Sequence, residues 1–116
     1  MLNKPKYSLF SNAMYAIKGL VDLIKTESSF KIEVFVLICA IGVILFVDKS
    51  IIEKILLFSS IMLVLIIEAI NGAIERVVDL VTLEYHPLAG KAKDAGSSAV
   101  LLSVCLAIII WIEILF

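Results

Sequence analysis

The stretch Ile67-Glu68-Ala69-Ile70-Asn71-Gly72-Ala73-Ile74-Glu75-Arg76-Val77-Val78-Asp79 follows an apolar run and contains no proline, so a helix begun in that run continues through it. At about 100° per residue, with Glu68 at 0°, Glu75 falls at about −20°, Asp79 at about +20°, Gly72 at about +40° and Asn71 at about −60°. Three carboxylates, a carboxamide and a glycine therefore share one face, which extends about 16 Å along the helix axis at ~1.5 Å per residue. The first carboxylate stands at the end of hydrocarbon-like sequence, where a charge is costly. A charge kept there marks a candidate functional group.

The composition around this stretch is that of a membrane protein. Of 116 residues, 62% are hydrophobic and 18% are charged, with a mean hydropathy of +1.13. That is well above the apolar share of a soluble domain. The length allows one domain, read here as a single membrane domain over residues 1–116. A net charge of −1, without a basic patch interleaved with aromatics, argues against nucleic-acid binding. Cys39 and Cys105 lie inside apolar runs and have no metal-type spacing, so they are expected to be buried apolar fillers.

Outward from the central stretch, the pattern gives four helices. From about residue 7 to 26, Leu9, Ala13, Ala16, Ile17, Leu20 and Ile24 form a stripe, with Asn12, Lys18, Asp22 and Lys25 off it. In a membrane protein this predicts an amphipathic helix lying in the interface. Residues 30–47 are apolar apart from Lys31 and Glu33 and are close to spanning length. They begin too late for an ordinary signal peptide. Residues 51–70 form a second span, extended to about residue 81 by the polar-faced stretch. Pro87 and Gly90 predict a loop over 84–90, Lys91 and its neighbours open the last helix, and the third span covers about 97–116. Trp111 reads as an interfacial aromatic anchor.

Three crossings put the N-terminus and the 76–96 connection on one side. That side holds Lys4, Lys6, Lys18, Lys25, Lys31, Arg76, Lys91 and Lys93, against Lys49 and Lys54 on the other. The bias predicts that the N-terminus and central loop are cytoplasmic. The same edge gathers Glu27, Glu33, Glu68, Asn71, Glu75, Asp79, Glu84, Lys93 and Asp94. Hard oxygen ligands beside a lysine suit Mg²⁺ and polyphosphate. A carboxylate at the lipid boundary is also placed to take a proton from a lipid hydroxyl. No Walker A sequence, kinase glycine loop or nucleophile elbow is present.

The stretch from Glu68 to Asp79 resembles the signature E-x-x-N-[ST/G/A]-A-I-E-x-x-V-D of the prokaryotic membrane diacylglycerol kinase family. Glu84-Tyr85-His86-Pro87-Leu88-Ala89-Gly90-Lys91-Ala92-Lys93-Asp94-Ala95-Gly96-Ser97 is similar to its E-Y-H-x-L-[SA]-G-x-A-K-D-x-[GA]-[SA]. Lys18-Gly19-Leu20, Glu27, Phe30 and Glu33 match its N-terminal half, so the likeness covers nearly the whole chain. The resemblance implies an all-α protein of one surface helix and three spans, assembled as a homotrimer with shared sites in the bacterial cytoplasmic (inner) membrane. It implies transfer of the γ-phosphate of MgATP to the primary hydroxyl of diacylglycerol, giving phosphatidic acid. Carried over by position, Glu68 is the general base and Asn71 helps position the reacting groups. Glu27 and Glu75 hold Mg²⁺. Tyr15, Glu84, Tyr85, His86, Lys93 and Asp94 contact the nucleotide together with the two metal carboxylates. Glu33, Ser97 and Trp111 lie near the lipid with Glu68. The family often has an arginine where this chain has Ser8.

Two alternatives stand beside this reading. A branch of the same family phosphorylates undecaprenol, and Pro87 occurs in that branch, whereas the Tyr85-His86 and Gly90 pattern is closer to the diacylglycerol branch. From a different class, a small oligomeric membrane transporter would use Glu68 as a lone intramembrane carboxylate.

Overall fold

A computed structural model describes residues 8–116. Lys4, Lys6 and Tyr7, which belong to the expected basic N-terminus and the start of the surface helix, lie outside the described residues. Four helices follow one another: α1 Leu9–Thr26, α2 Ser28–Phe46, α3 Ile51–Val81 and α4 Pro87–Leu115. The helices α2, α3 and α4 are each long and apolar enough to cross a membrane.

Local signals explain the boundaries. Ser8 is extended and its Oγ accepts the Ser11 N–H at 3.5 Å, capping α1. Only Glu27 separates α1 from α2. Its backbone is extended (φ −108°, ψ 113°), its N–H donates to Leu23 O at 2.9 Å, and its carbonyl accepts from Lys31 N–H at 3.1 Å. One residue thus turns the chain from the surface helix into the first span. Ser50 and Glu53 form a reciprocal capping box at the start of α3, with both bonds at 3.1 Å.

α3 has 31 residues, so it is about 46 Å long against ~30 Å of hydrocarbon. With Ile51 at the opposite boundary, the far boundary falls near Asn71, so Glu68 lies just inside it, about 26 Å from Ile51, and the face from Asn71 to Asp79 emerges beyond it. The start of α4 departs from expectation. Residues 87–90 belong to the helix, not to a loop. Pro87 is the first helical residue, where its missing N–H is harmless, and it forces His86 into the extended conformation that a cap needs. His86 Nδ1 accepts the Leu88 N–H at 3.1 Å. Gly90 lies inside the first turns and ends nothing.

The interior is a seam in which α3 packs between α2 and α4. α3 contributes Leu57, Ser60, Val64, Leu65, Asn71 and Gly72, and α4 contributes Gly96, Ser103 and Ala107. The α4 side is built of small residues, which lets two backbones approach closely. Phe30, Ala40 and Ile44 bury α2 against this pair. α1 buries none of its residues and leaves Leu9, Phe10, Met14, Ile17, Leu20, Val21 and Ile24 exposed, as a helix with its apolar stripe toward lipid would.

Two expectations need correction. Cys39 and Cys105 are exposed free thiols, not buried fillers. Three helices have too little mutual surface to cover every apolar side, and an outward thiol is well tolerated in a spanning helix. Trp111 is not an anchor at the water boundary. Its Nε1–H points into the seam and donates to Ser60 Oγ at 3.0 Å and to Leu57 O at 3.2 Å. Ser60 lies about 13 Å along α3 from Ile51, well inside the span. An indole N–H in hydrocarbon requires an acceptor, and the kept Ser60 hydroxyl supplies one.

Replacing Trp111 with Phe keeps most of the ring and removes the donor. The expected cost is about 0.6–1.7 kcal/mol in reversible unfolding from mixed micelles, the range for interhelical hydrogen bonds in membranes. Equal stability of Trp111→Phe and the unmutated protein would contradict this role for the indole.

Candidate active site at the end of the spanning helices

The face read from the sequence is present on α3. Glu68, Asn71, Gly72 and Glu75 all line one small cavity of about 20 Å³, closed from the other side by Leu23, Glu27, Ser29 and Phe30. This volume accepts one water or one small cation. Each element brings its residue for an identifiable reason. Glu27 stands at the corner between α1 and α2, so its side chain projects over α3. Gly72 allows α1 to cross closely, since a Cβ there would lie 3.3 Å from Leu23 Cδ2. Glu68 and Glu75 are seven positions apart, two helical turns along the same side.

Asn71 is buried, and its Nδ2 donates to Glu75 Oε1 at 3.3 Å. The bond holds Glu75 toward the cavity. Glu33 on α2 faces Glu68 on α3 within hydrogen-bonding reach of the carboxyls, and Glu33 Oε2 is buried without a partner among the described residues. From Glu33 an apolar groove of about 270 Å³ runs between the helices to Trp111, lined by Val36, Ile61, Val64, Val104, Ala107 and Ile108. One carboxyl group therefore borders both the polar cavity's neighbour Glu68 and a hydrocarbon-like channel.

A second, larger groove of about 370 Å³ lies farther out along α3, where Asp79 meets the α3–α4 connection. It collects Glu84, Tyr85, His86 and Lys93. Tyr85 lines it while remaining 92% exposed. Lys93 Nζ donates to Asp79 Oδ1 at 2.7 Å. That bond, with the nearby Asp79 and Glu75 charges, raises the ammonium pKa above its ordinary value, so Lys93 is a fixed cation at neutral pH. Glu75 thus acts electrostatically on both groups of residues. Of the remaining candidates, Tyr15 is half-buried on α1, and Asp94 and Ser97 are exposed on α4; none of the three lines either cavity.

Sequence reasoning counted Arg76 only as part of the basic side. In the structure it ties α1 to α3: Nη1 donates to Asp22 Oδ2 at 2.7 Å, and Nη2 donates to Thr26 Oγ1 at 3.0 Å and Glu27 Oε1 at 3.5 Å. It holds the Glu27 corner over the α3 face. The signal was legible, since Arg76 falls about 80° from Glu68, on the flank of that face. The pair is half-exposed, so its value lies in geometry more than in stability.

Among the described residues, no group of three or more His, Cys, Asp or Glu side chains is close enough to hold a metal by itself. Mg²⁺ needs only one or two carboxylates when phosphate oxygens and water complete its shell. Glu27 and Glu75, two hard oxygen donors on opposite walls of the same small cavity, fit that requirement.

Comparison with known proteins meets this geometry. The family model of prokaryotic diacylglycerol kinase matches residues 14–115. The diacylglycerol kinase of Haemophilus influenzae is 39% identical over 108 residues, covering 93% of this chain and 92% of that protein. That of Escherichia coli K12 is 42% identical over 104 residues, covering 90% and 85%. That of Pseudomonas aeruginosa is 36% identical over 101 residues, covering 87% and 82%. The matched segment contains Glu68 and the three carboxylates around it, both grooves and the whole α3–α4 seam, and the chain belongs to the prokaryotic diacylglycerol kinase family.

Proposed function

We propose that this protein is a membrane lipid kinase that transfers the γ-phosphate of MgATP to the primary hydroxyl of diacylglycerol, giving phosphatidic acid and ADP. The observation that carries the reading is the convergence of Glu27, Glu68, Asn71 and Glu75 on one cavity at the level where α3 leaves its apolar span. Phosphoryl transfer asks mainly for positioning and charge neutralisation, which this arrangement provides without a P-loop.

Glu68 takes the proton of the lipid hydroxyl as the hydroxyl oxygen bonds to the γ-phosphorus. The bond from that phosphorus to the β–γ bridging oxygen breaks, and ADP leaves with the electron pair. Glu33, within reach of Glu68, gives the abstracted proton a second carboxyl to move to. Asn71 keeps Glu75 aimed inward. Mg²⁺, held by Glu27 and Glu75, supplies positive charge against the phosphate oxygens when bound. Lys93 and the Glu84–His86 segment form the outer groove for the rest of the nucleotide, with Tyr15 and Asp94 as flanking contacts from other elements. The apolar groove from Glu33 to Trp111 accommodates acyl chain, with Ser97 near the headgroup end. The basic side of the chain, and with it the site, faces the cytoplasm.

A transporter built on one intramembrane carboxylate is not favoured, because Glu68 has Glu27, Glu33 and Glu75 within electrostatic range. The outer groove is open on a single chain, so we extend the proposal to a homotrimer in which a second copy closes the site.

The direct test is phosphate transfer from labelled ATP in detergent micelles, with diacylglycerol and undecaprenol as acceptors. Diacylglycerol is expected to be labelled faster, and Glu68→Gln to reduce the rate about 10²- to 10⁴-fold with the fold intact. Preference for undecaprenol would change the substrate, and an unaffected Glu68→Gln protein would remove the assigned base. Shared sites are tested by mixing Glu68→Gln with Glu75→Gln protomers. Return of part of the activity is expected, whereas none at any ratio would contradict sharing.

A further inference from the structure

We infer that Gly96 is a positioning residue for this site: the bare α4 backbone at Gly96 seats the Asn71 carboxamide and thereby aims it at Glu75. The inference rests on the phosphoryl-transfer reading and adds a residue to it. Gly96 is buried in the seam, opposite Asn71. A Cβ built at Gly96 would overlap Asn71 Oδ1, and would also meet Asn71 Cγ at 3.3 Å and Ile74 Cδ1 at 3.7 Å. In the glycine the Cβ direction is taken by a hydrogen, so a Cα–H points at the amide oxygen.

That oxygen is buried and makes no ordinary hydrogen bond among the described residues. A weak Cα–H···O contact of the kind found where helices cross closely is what the geometry offers it. The two ends of the carboxamide are then determined together. Oδ1 rests against Gly96, and Nδ2 is left facing Glu75 Oε1 at 3.3 Å. Rotating the amide about its last bond would break both arrangements. Gly72 is different: a Cβ there meets only the end of the Leu23 side chain, at 3.3 Å. At Gly42 nothing lies within 4 Å. Gly96 is therefore the glycine whose lack of a side chain bears directly on a site residue.

A methyl group at Gly96 collides with the movable end of a side chain, not with backbone. The Asn71 carboxamide is expected to swing aside while the helices stay packed. Gly96→Ala should thus keep its unfolding midpoint near that of the unmutated protein and lose about 10- to 100-fold in kcat, the scale of a misplaced catalytic group. The decisive comparison is a double-mutant cycle with Asn71→Ala, with Gly42→Ala as the control that retains activity. If Gly96 acts through Asn71, the double variant is no slower than Asn71→Ala alone. If Gly96→Ala fails to fold, Asn71→Ala/Gly96→Ala removes the colliding oxygen and should fold, which supports the same contact. Full activity of Gly96→Ala, a loss that adds to that of Asn71→Ala, or failure of both variants to fold would overturn the inference. An inactive unmutated protein would instead overturn the functional reading on which it rests.

Discussion

Where α3 passes out of hydrocarbon, its polar side chains must find partners within a distance of about two turns, and this requirement shapes the molecule. Farther in, polar groups are paired across helices, as Trp111 is with Ser60 and Leu57. At the boundary the pairing is deliberately incomplete. Asn71 spends its amino group on Glu75 and leaves its oxygen against Gly96, while Glu33 keeps one oxygen without a partner. The small residues of α4 let the seam close tightly enough to hold these side chains without enclosing them.

The other helices act on this boundary. Glu27 reaches the α3 face because one extended residue joins α1 to α2. Arg76 then binds Asp22, Thr26 and Glu27, so the surface helix is tied to the far end of the longest span. Movement of α1 relative to the bilayer would therefore move the Glu27 carboxylate relative to Glu75. Lys93 and Asp79 make a similar tie across the outer groove. Both ties lie outside the hydrocarbon, where exposed charged pairs contribute little stability but direct long side chains.

Much of this architecture was legible in the chain. The shared face of Glu68, Asn71, Gly72 and Glu75 follows from helical periodicity, and the structure gathers those residues at one cavity. Three apolar segments of spanning length also announced themselves. What periodicity cannot carry is the choice between helix faces and the pairing of helices. Trp111 looked like a boundary aromatic because its position near the chain end said nothing of Ser60, 51 residues away. Apolar flanks in sequence predict burial for Cys39 and Cys105, but neighbours in sequence are not neighbours in space, and both thiols face outward. Pro87 looked like part of a loop because a proline after a turn residue both ends and begins helices, and the cap at His86 decides which.

The central claim is that one carboxylate face, at the edge of the membrane, holds the metal–phosphate centre. Mn²⁺ in place of Mg²⁺ allows that claim to be measured by electron paramagnetic resonance, titrating MnATP into the purified protein. The account predicts saturable binding that Glu75→Gln weakens by about tenfold or more, while Glu53→Gln, in the capping box at the opposite end of α3, leaves it unchanged. Equal MnATP affinity in Glu75→Gln and the unmutated protein would contradict it.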